Sequence, residues 1–275
     1  ARRQRQMCIR DRPLRDYTKV IQYCDEVKAD GFDLVDDFSD LFGMNAAGTD
    51  AKMRNTKESI LEAQFTSGAG NWCTWMFGRD LVNWNNNFTW AKWVTPSRDL
   101  ISAFKQEGDE VRFKESIVYY DCNWSNYYPS DNYPFMYKCR SANSSIIKYR
   151  YADVLLLKAE ALIMQDTPDL EGAADIIDEV RDRAKLGALP TSVRSNKNAM
   201  LNALLKERRL ELAFEGQRWF DLVRLDKVEE VMNAVYAKDS GRKAQIYTFD
   251  KNSYRLPIPQ SVIDANDKIH QNPGY

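Results

Sequence analysis

The chain has 275 residues, 44% of them hydrophobic and 29% charged, which excludes a disordered polypeptide and leaves room for a sizeable core. A formal net charge of −1 gives no global attraction to nucleic acid or to anionic lipid. One histidine, His270, and five cysteines with no C-x-x-C pair leave little material for a His-based triad or a zinc site. No phosphate-cradling glycine motif occurs, and no cofactor or metal is expected.

Residues 1–12, ARRQRQMCIRDR, carry five arginines and no apolar run, and are read as a non-native or artefactual leader. Leu14 to Val27 predicts a short helix before the Ala29-Asp30-Gly31 turn. SILEAQF, from Ser59, alternates as a half-buried strand does. SRDLISAFKQEG predicts a helix capped by Ser97 and closed by Gly108, and ESIVYYDCNW a strand.

Between and after these lie two aromatic-rich loops. The first, NWCTWMFGRDLVNWNNNFTWAKW, begins at Asn71; the second, NWSNYYPSDNYPFMY, begins at Asn123. Sugar rings present C–H faces that stack on flat aromatics, while Asn, Asp and Arg side chains bond the hydroxyls. Trp72, Trp75, Arg79, Trp84, Asn86, Trp90, Trp124 and Tyr128 are therefore the candidate ligand contacts. Filling the core is the competing role for any one of these aromatics.

From Tyr149 the pattern is helical. Leu155, Ala159 and Leu162 share one face, and Ala173, Ile177, Val180 and Ala184 the face of a second helix. Thr167 with Pro168 is the expected start of that second helix and Gly187 its close. Asn198 to Leu225 forms a third helical stretch interrupted by Gly216, and after Val235 the chain reads as irregular. Pro257 and Pro259 impose an extended path, and Asn272-Pro273-Gly274 a turn. The fold class that follows is mostly α, with helix pairs and long irregular loops.

KERRLELAFEGQRWFDLVRL, Lys206 to Leu225, holds four acids and five bases on a helical pattern. Glu207, Glu211, Glu215 and Asp221 could supply the carboxylate pair of a glycosidase on spacing alone. Arg208, Arg218 and Arg224 lie close in sequence, and arginines favour ionised carboxylates where a general acid needs a raised pKa. These seven residues are read as a structural charge network, and no residue is assigned a catalytic role.

KYRYADVLLLKAEALI, LEGAADIIDEVRDRAKLGALP, the charged helix and the closing YRLPIPQSVIDANDKIHQNPGY, in this order, resemble the C-terminal half of the SusD/RagB family. NTKESILEAQF and VTPSRDLISAF resemble segments further upstream. The resemblance implies a SusD-like α-helical fold with tetratricopeptide-like helix pairs. It also implies a non-catalytic lipoprotein on the extracellular face of the outer membrane of Bacteroidota. Such a protein captures oligosaccharide, less often peptide, and hands it to a SusC-like TonB-dependent transporter. It leads to a division into residues 13–140, with the aromatic loops, and residues 141–275, the SusD/RagB C-terminal domain. No lipoprotein signal or anchoring cysteine is recognised, and the chain is expected to be a fragment. A peptide-binding helical scaffold and a carboxylate glycosidase remain as alternatives.

Overall fold

The computed structural model describes residues 16–66, 68–72, 94–122, 127–238 and 248–275. Its compact units are Ala1–Gln217 and Arg218–Tyr275.

In the first unit, helix α1 (Tyr17–Ala29) starts where the Asp16 carboxylate accepts from the Lys19 N–H, three residues into the expected segment. A short helix α2 (Ser39–Phe42) and strand β1 (Ser59–Ala63) follow. Helix α3 (Arg98–Glu107) is bounded as its caps predict: Ser97 accepts from the Leu100 N–H, and Gly108 closes it at φ 70°. Helix α4 (Glu110–Ser116), capped by Asp109, takes the first part of the segment read as a strand, which leaves β2 (Ile117–Tyr120). Capping outweighed β propensity there, because Asp109 supplies the acceptor that Arg112 N–H needs.

Strands β3 (Tyr133–Met136) and β4 (Ile146–Arg150) complete two antiparallel pairs. β2 runs against β3 with Ile117 opposite Met136, and β1 against β4 with Ser59 opposite Arg150. Leu61 faces Tyr149 across the second pair, and register shifts on both sides of it leave Leu61 half exposed rather than inward.

Helix α5 (Tyr151–Met164) is buried on most of its circumference, which marks a central helix. It packs against α1, α6 (Leu170–Arg183) and α8 (Lys197–Glu211), and a short α7 (Thr191–Arg194) precedes α8. Leu155 and Ala159 enter this core with Ala173, Ile177 and Val180, alongside Val20, Cys24, Met200 and Leu204; Leu162 packs on its margin. Removing that many apolar side chains from water, at about 1.5–3 kcal/mol for each large one, is the main stabilising term.

Two expected helix ends move. Asp169, not Thr167, caps α6, since its carboxylate reaches the Gly172 N–H at 2.9 Å. The helix stops at Arg183 because Lys185 turns left-handed at φ 60°; Gly187 instead offers its carbonyl to Arg181. After α8 the break at Gly216 is present at φ 76°, preceded by Phe214 at φ 65°. The expected division near residue 140 falls inside the first unit, between strands that pair across it.

The second unit contains α9 (Arg218–Arg224), α10 (Val228–Lys238), a 3-10 turn at Lys251–Tyr254 and α11 (Gln260–Asp264). The α10 helix lies partly where irregular chain was expected. Phe249 stacks edge-on to Trp219 and tilted on Tyr236, and Asn233 brackets its backbone from both sides. Leu256 to Pro259 lies outside any helix or strand, and the Tyr275 N–H closes the final turn on the Asn272 carbonyl.

Candidate functional site

Glu211 is fully buried at the end of α8. One oxygen meets Arg112 Nη1 at 3.0 Å; the other receives Arg150 and Arg183. Arg150 also reaches Glu58 at 2.7 Å and grips Glu215 with two nitrogens, at 2.7 and 2.8 Å. Arg183 bonds the second Glu58 oxygen at 3.0 Å. Arg112 extends the network to Asp109 and Glu207, and Arg181 links Glu207 to Glu107. Lys138 Nζ bonds Glu215 at 2.6 Å and the Glu211 carbonyl at 2.8 Å.

At the centre, five carboxylates (Glu58, Asp109, Glu207, Glu211, Glu215) balance Arg112, Lys138, Arg150, Arg181 and Arg183 among the described residues. Phe38 lies under three of the cations, with Lys138, Arg150 and Arg183 4.9–5.9 Å from its ring centre.

The balance of burial and charge differs along α8. Burial pushes the Glu211 carboxyl up, but Arg183, Arg150, Arg112 and Lys138 outweigh it and hold it well below the ordinary range. At Glu215 burial is likewise overcome by Arg150 and Lys138. At Glu207 burial prevails over Arg112 and Arg181, and the carboxyl rises. Its raised pKa is the property a general acid needs, yet Glu207 is 1% exposed and closed in by both arginines. Lys138 is pushed down to about 8 by burial, with Arg150 adding to the effect.

The seven residues expected to form the network separate in space. Glu207, Arg208, Glu211 and Glu215 are in the first unit, where the described partners of the three glutamates come from far along the chain and Arg208 pairs with Asp153 at 2.8 Å. Arg218, Asp221 and Arg224 are in the second, where Arg224 pairs with Asp221. The long-range partners, Arg112, Lys138, Arg150, Arg181 and Arg183, lie in charged or mixed stretches of sequence that do not single them out.

Of the candidate ligand contacts, Trp75, Arg79, Trp84, Asn86, Trp90 and Trp124 lie outside the described residues. Trp72 is 71% exposed. Its neighbour Asn71, counted among the polar groups of that loop, is buried, and its amide donates to the carbonyls of Ser141, Ala142 and Ser144.

Tyr128 lines a surface pocket of about 300 Å³. One wall is a single face of α3, where Arg98, Ile101, Ser102 and Lys105 recur at the i, i+3, i+4, i+7 spacing. The facing wall is Tyr119 of β2 with Tyr128, Pro129 and Asn132. Tyr128 is fixed by donating its hydroxyl to the Pro96 carbonyl at 2.7 Å and by edge-on packing against Tyr127 and Tyr133. The Arg98 guanidinium lies 4.2 and 4.6 Å from the ring centres of Tyr127 and Tyr128. Flat rings beside hydroxyl, amide and guanidinium groups are the materials of a saccharide subsite. The helical spacing within SRDLISAFKQEG, which sets Arg98 and Lys105 two turns apart on one face, was the available sequence signal for them.

A model of the SusD family matches residues 131–275, more than half of the chain. The chain belongs to the SusD family. SusD-like protein P38 of Formosa agariphila is 42% identical over 99 residues, 34% of this chain and 19% of that protein. SusD-like protein P2 of the same organism is 35% identical over 143 residues, 50% of this chain and 27% of that one. Surface glycan-binding protein A from Bacteroides thetaiotaomicron, solved in complex with laminarihexaose, superposes with a TM-score of 0.67 at 20% identity, covering 93% of this chain and 59% of that one. The chain thus spans about a fifth to a quarter of these two curated relatives, and its SusD-like, mostly α fold is that of the solved structure.

Proposed function

We propose that this chain is part of a non-catalytic, cell-surface glycan-binding protein that delivers oligosaccharide to a SusC-like TonB-dependent transporter of the outer membrane. Membership of the SusD family carries the reading. The complex of a fold relative with laminarihexaose supports a saccharide ligand, and the pocket beside Tyr128 offers aromatic walls for one. Non-catalysis is supported by the fate of the charged helix: Glu207 and Glu211 are buried and Glu215 is nearly so, all three in ion pairs, where no substrate reaches a carboxylate. Residues Trp75, Arg79, Trp84, Asn86, Trp90 and Trp124 are proposed as further contacts.

Calorimetric titration with a panel of plant, host and microbial oligosaccharides tests the proposal, each sample being checked afterwards for hydrolysis products. Binding without cleavage is expected. Cleavage abolished by Glu211→Gln would overturn the non-catalytic reading, and affinity for peptides alone would overturn the glycan reading.

A further inference from the structure

The turn that leaves α8 holds a bulky side chain where the backbone favours glycine. The Glu215 N–H returns to the Leu212 carbonyl at 3.1 Å, and Phe214, third in that turn, has φ 65°. Glycine or asparagine enters this left-handed region with little strain, whereas an aromatic residue there is an outlier that its surroundings must enforce. Two features enforce it. Glu211 and Glu215, on either side of Phe214, are both held by Arg150, and Lys138 bonds the Glu211 carbonyl at 2.8 Å and the Glu215 carboxylate at 2.6 Å. The turn cannot unwind without breaking these buried ion pairs. The half-buried Phe214 ring, for its part, packs against the apolar cluster of Leu100, Ile101, Phe104 and Leu210. Tyr119 and Tyr128 pack against the same cluster, and Ile101 belongs to it while also lining the pocket. The ring and the pocket thus share one apolar support.

We infer that Phe214 is a positioning residue for the saccharide pocket: the buried charge network pins its backbone, and its ring sets the place of Ile101 and of the tyrosine wall. The inference rests on the glycan-binding reading and adds to it a residue outside the described lining. Strain at Phe214 is tolerated because no residue suited to a left-handed turn carries a ring to this cluster. Filling the core is the competing role, and it predicts a different result: a change in stability with affinity untouched.

The test is titration of the whole chain with laminarihexaose and the rest of the oligosaccharide panel, with melting temperature and circular dichroism recorded for each variant. Phe214→Leu stays apolar but loses the ring, and should weaken binding about five-fold or more with the fold retained. Phe214→Tyr keeps the ring and should bind as the native sequence does. In an Ile101→Ala background the Phe214→Leu loss should shrink below about two-fold, since the side chain that relays the ring to the pocket is gone. Native affinity in Phe214→Leu, with a lowered melting temperature, makes the ring a core filler and overturns the inference. An equal loss in both backgrounds overturns the route through the pocket. Should Phe214→Leu not fold, Phe214→Met is read by the same criteria. Failure of the native chain to bind any member of the panel overturns the glycan reading, and this inference falls with it.

Discussion

Arg150 and Glu215 meet as a two-pronged fork, Nε to Oε2 at 2.7 Å and Nη2 to Oε1 at 2.8 Å, although 65 residues separate them in sequence. Fork geometry fixes orientation as well as distance, which a lysine cannot do. The same guanidinium reaches Glu58 and the carboxylate and carbonyl of Glu211, so one side chain joins β4 to the chain before β1 and to the end of α8.

Arg150→Met is expected to destabilise the chain by about 3–5 kcal/mol, because three buried carboxylates lose their shared cation. Arg150→Lys should recover only part of this. Urea denaturation followed by circular dichroism measures both, and a change in either variant within error of zero would remove the network from the stability of the fold.

Glu211 gives an acid signature. Its folded pKa lies well below the ordinary 4.5, so its contribution is complete above that value and is lost as pH falls through the folded pKa. Glu211→Gln should be markedly less stable than the native sequence at pH 7. The gap should narrow in acid, as read from melting temperatures between about pH 7 and pH 3. A gap that stays constant across that range contradicts the ion pairing.

Lys138 gives the opposite signature at the alkaline end. With its pKa pushed from 10.5 to about 8, the unfolded chain binds more protons than the folded one between those values. Stability therefore rises with pH through that window. The native sequence should gain about 2 kcal/mol relative to Lys138→Met between about pH 7 and pH 9.5. Parallel stability curves for the two proteins would show that Lys138 titrates normally.

Gly216 follows Phe214 in the turn that leaves α8, and both have left-handed φ. A Cβ at Gly216 meets no atom within 4 Å, so Gly216→Ala tests backbone strain alone and should cost about 1 kcal/mol in denaturant melts. A neutral result would mean the turn relaxes freely.

Trp75→Ala and Trp84→Ala are expected to weaken oligosaccharide binding with circular dichroism unchanged. Tyr128→Phe should preserve stacking while releasing the bond to the Pro96 carbonyl. Unaltered affinity in both tryptophan variants would place the site away from the first aromatic loop.

Much of the helical architecture was legible because its signals are local. Ser97 and Gly108 bound α3, and the spacing of Ala173, Ile177 and Val180 marks the buried face of α6. The cap of α6 was misplaced by two residues because Thr167-Pro168 and Asp169 both offer a start, and only the Asp169 geometry closes on Gly172. Of the seven charged residues expected to act together, Glu207, Glu211 and Glu215 share one buried cluster, and its pairing was not legible. Glu211 takes Arg112, Arg150 and Arg183 from three other elements, and sequence adjacency to Arg208 does not predict that. The pocket was half legible: Tyr128 stood out by composition, whereas Arg98 and Lys105 become neighbours of it only when α3 packs beside β2 and the second loop.

The buried network also sets an order of events during synthesis. Glu58 and Asp109 precede the arginines they pair with, whereas Glu211 and Glu215 follow them, so until α8 and the turn after it are complete Arg112, Arg150 and Arg183 have only part of the acid that balances them in the core. Enclosing three arginines with so few acids is costly, and this core is expected to close only once α8 and that turn supply Glu207, Glu211 and Glu215. A chain ending at residue 206 should accordingly be digested rapidly by protease, while one ending at residue 217 resists. Closure of the core is thereby tied to the completion of α8 and its closing turn, which carry three of the five carboxylates at its centre.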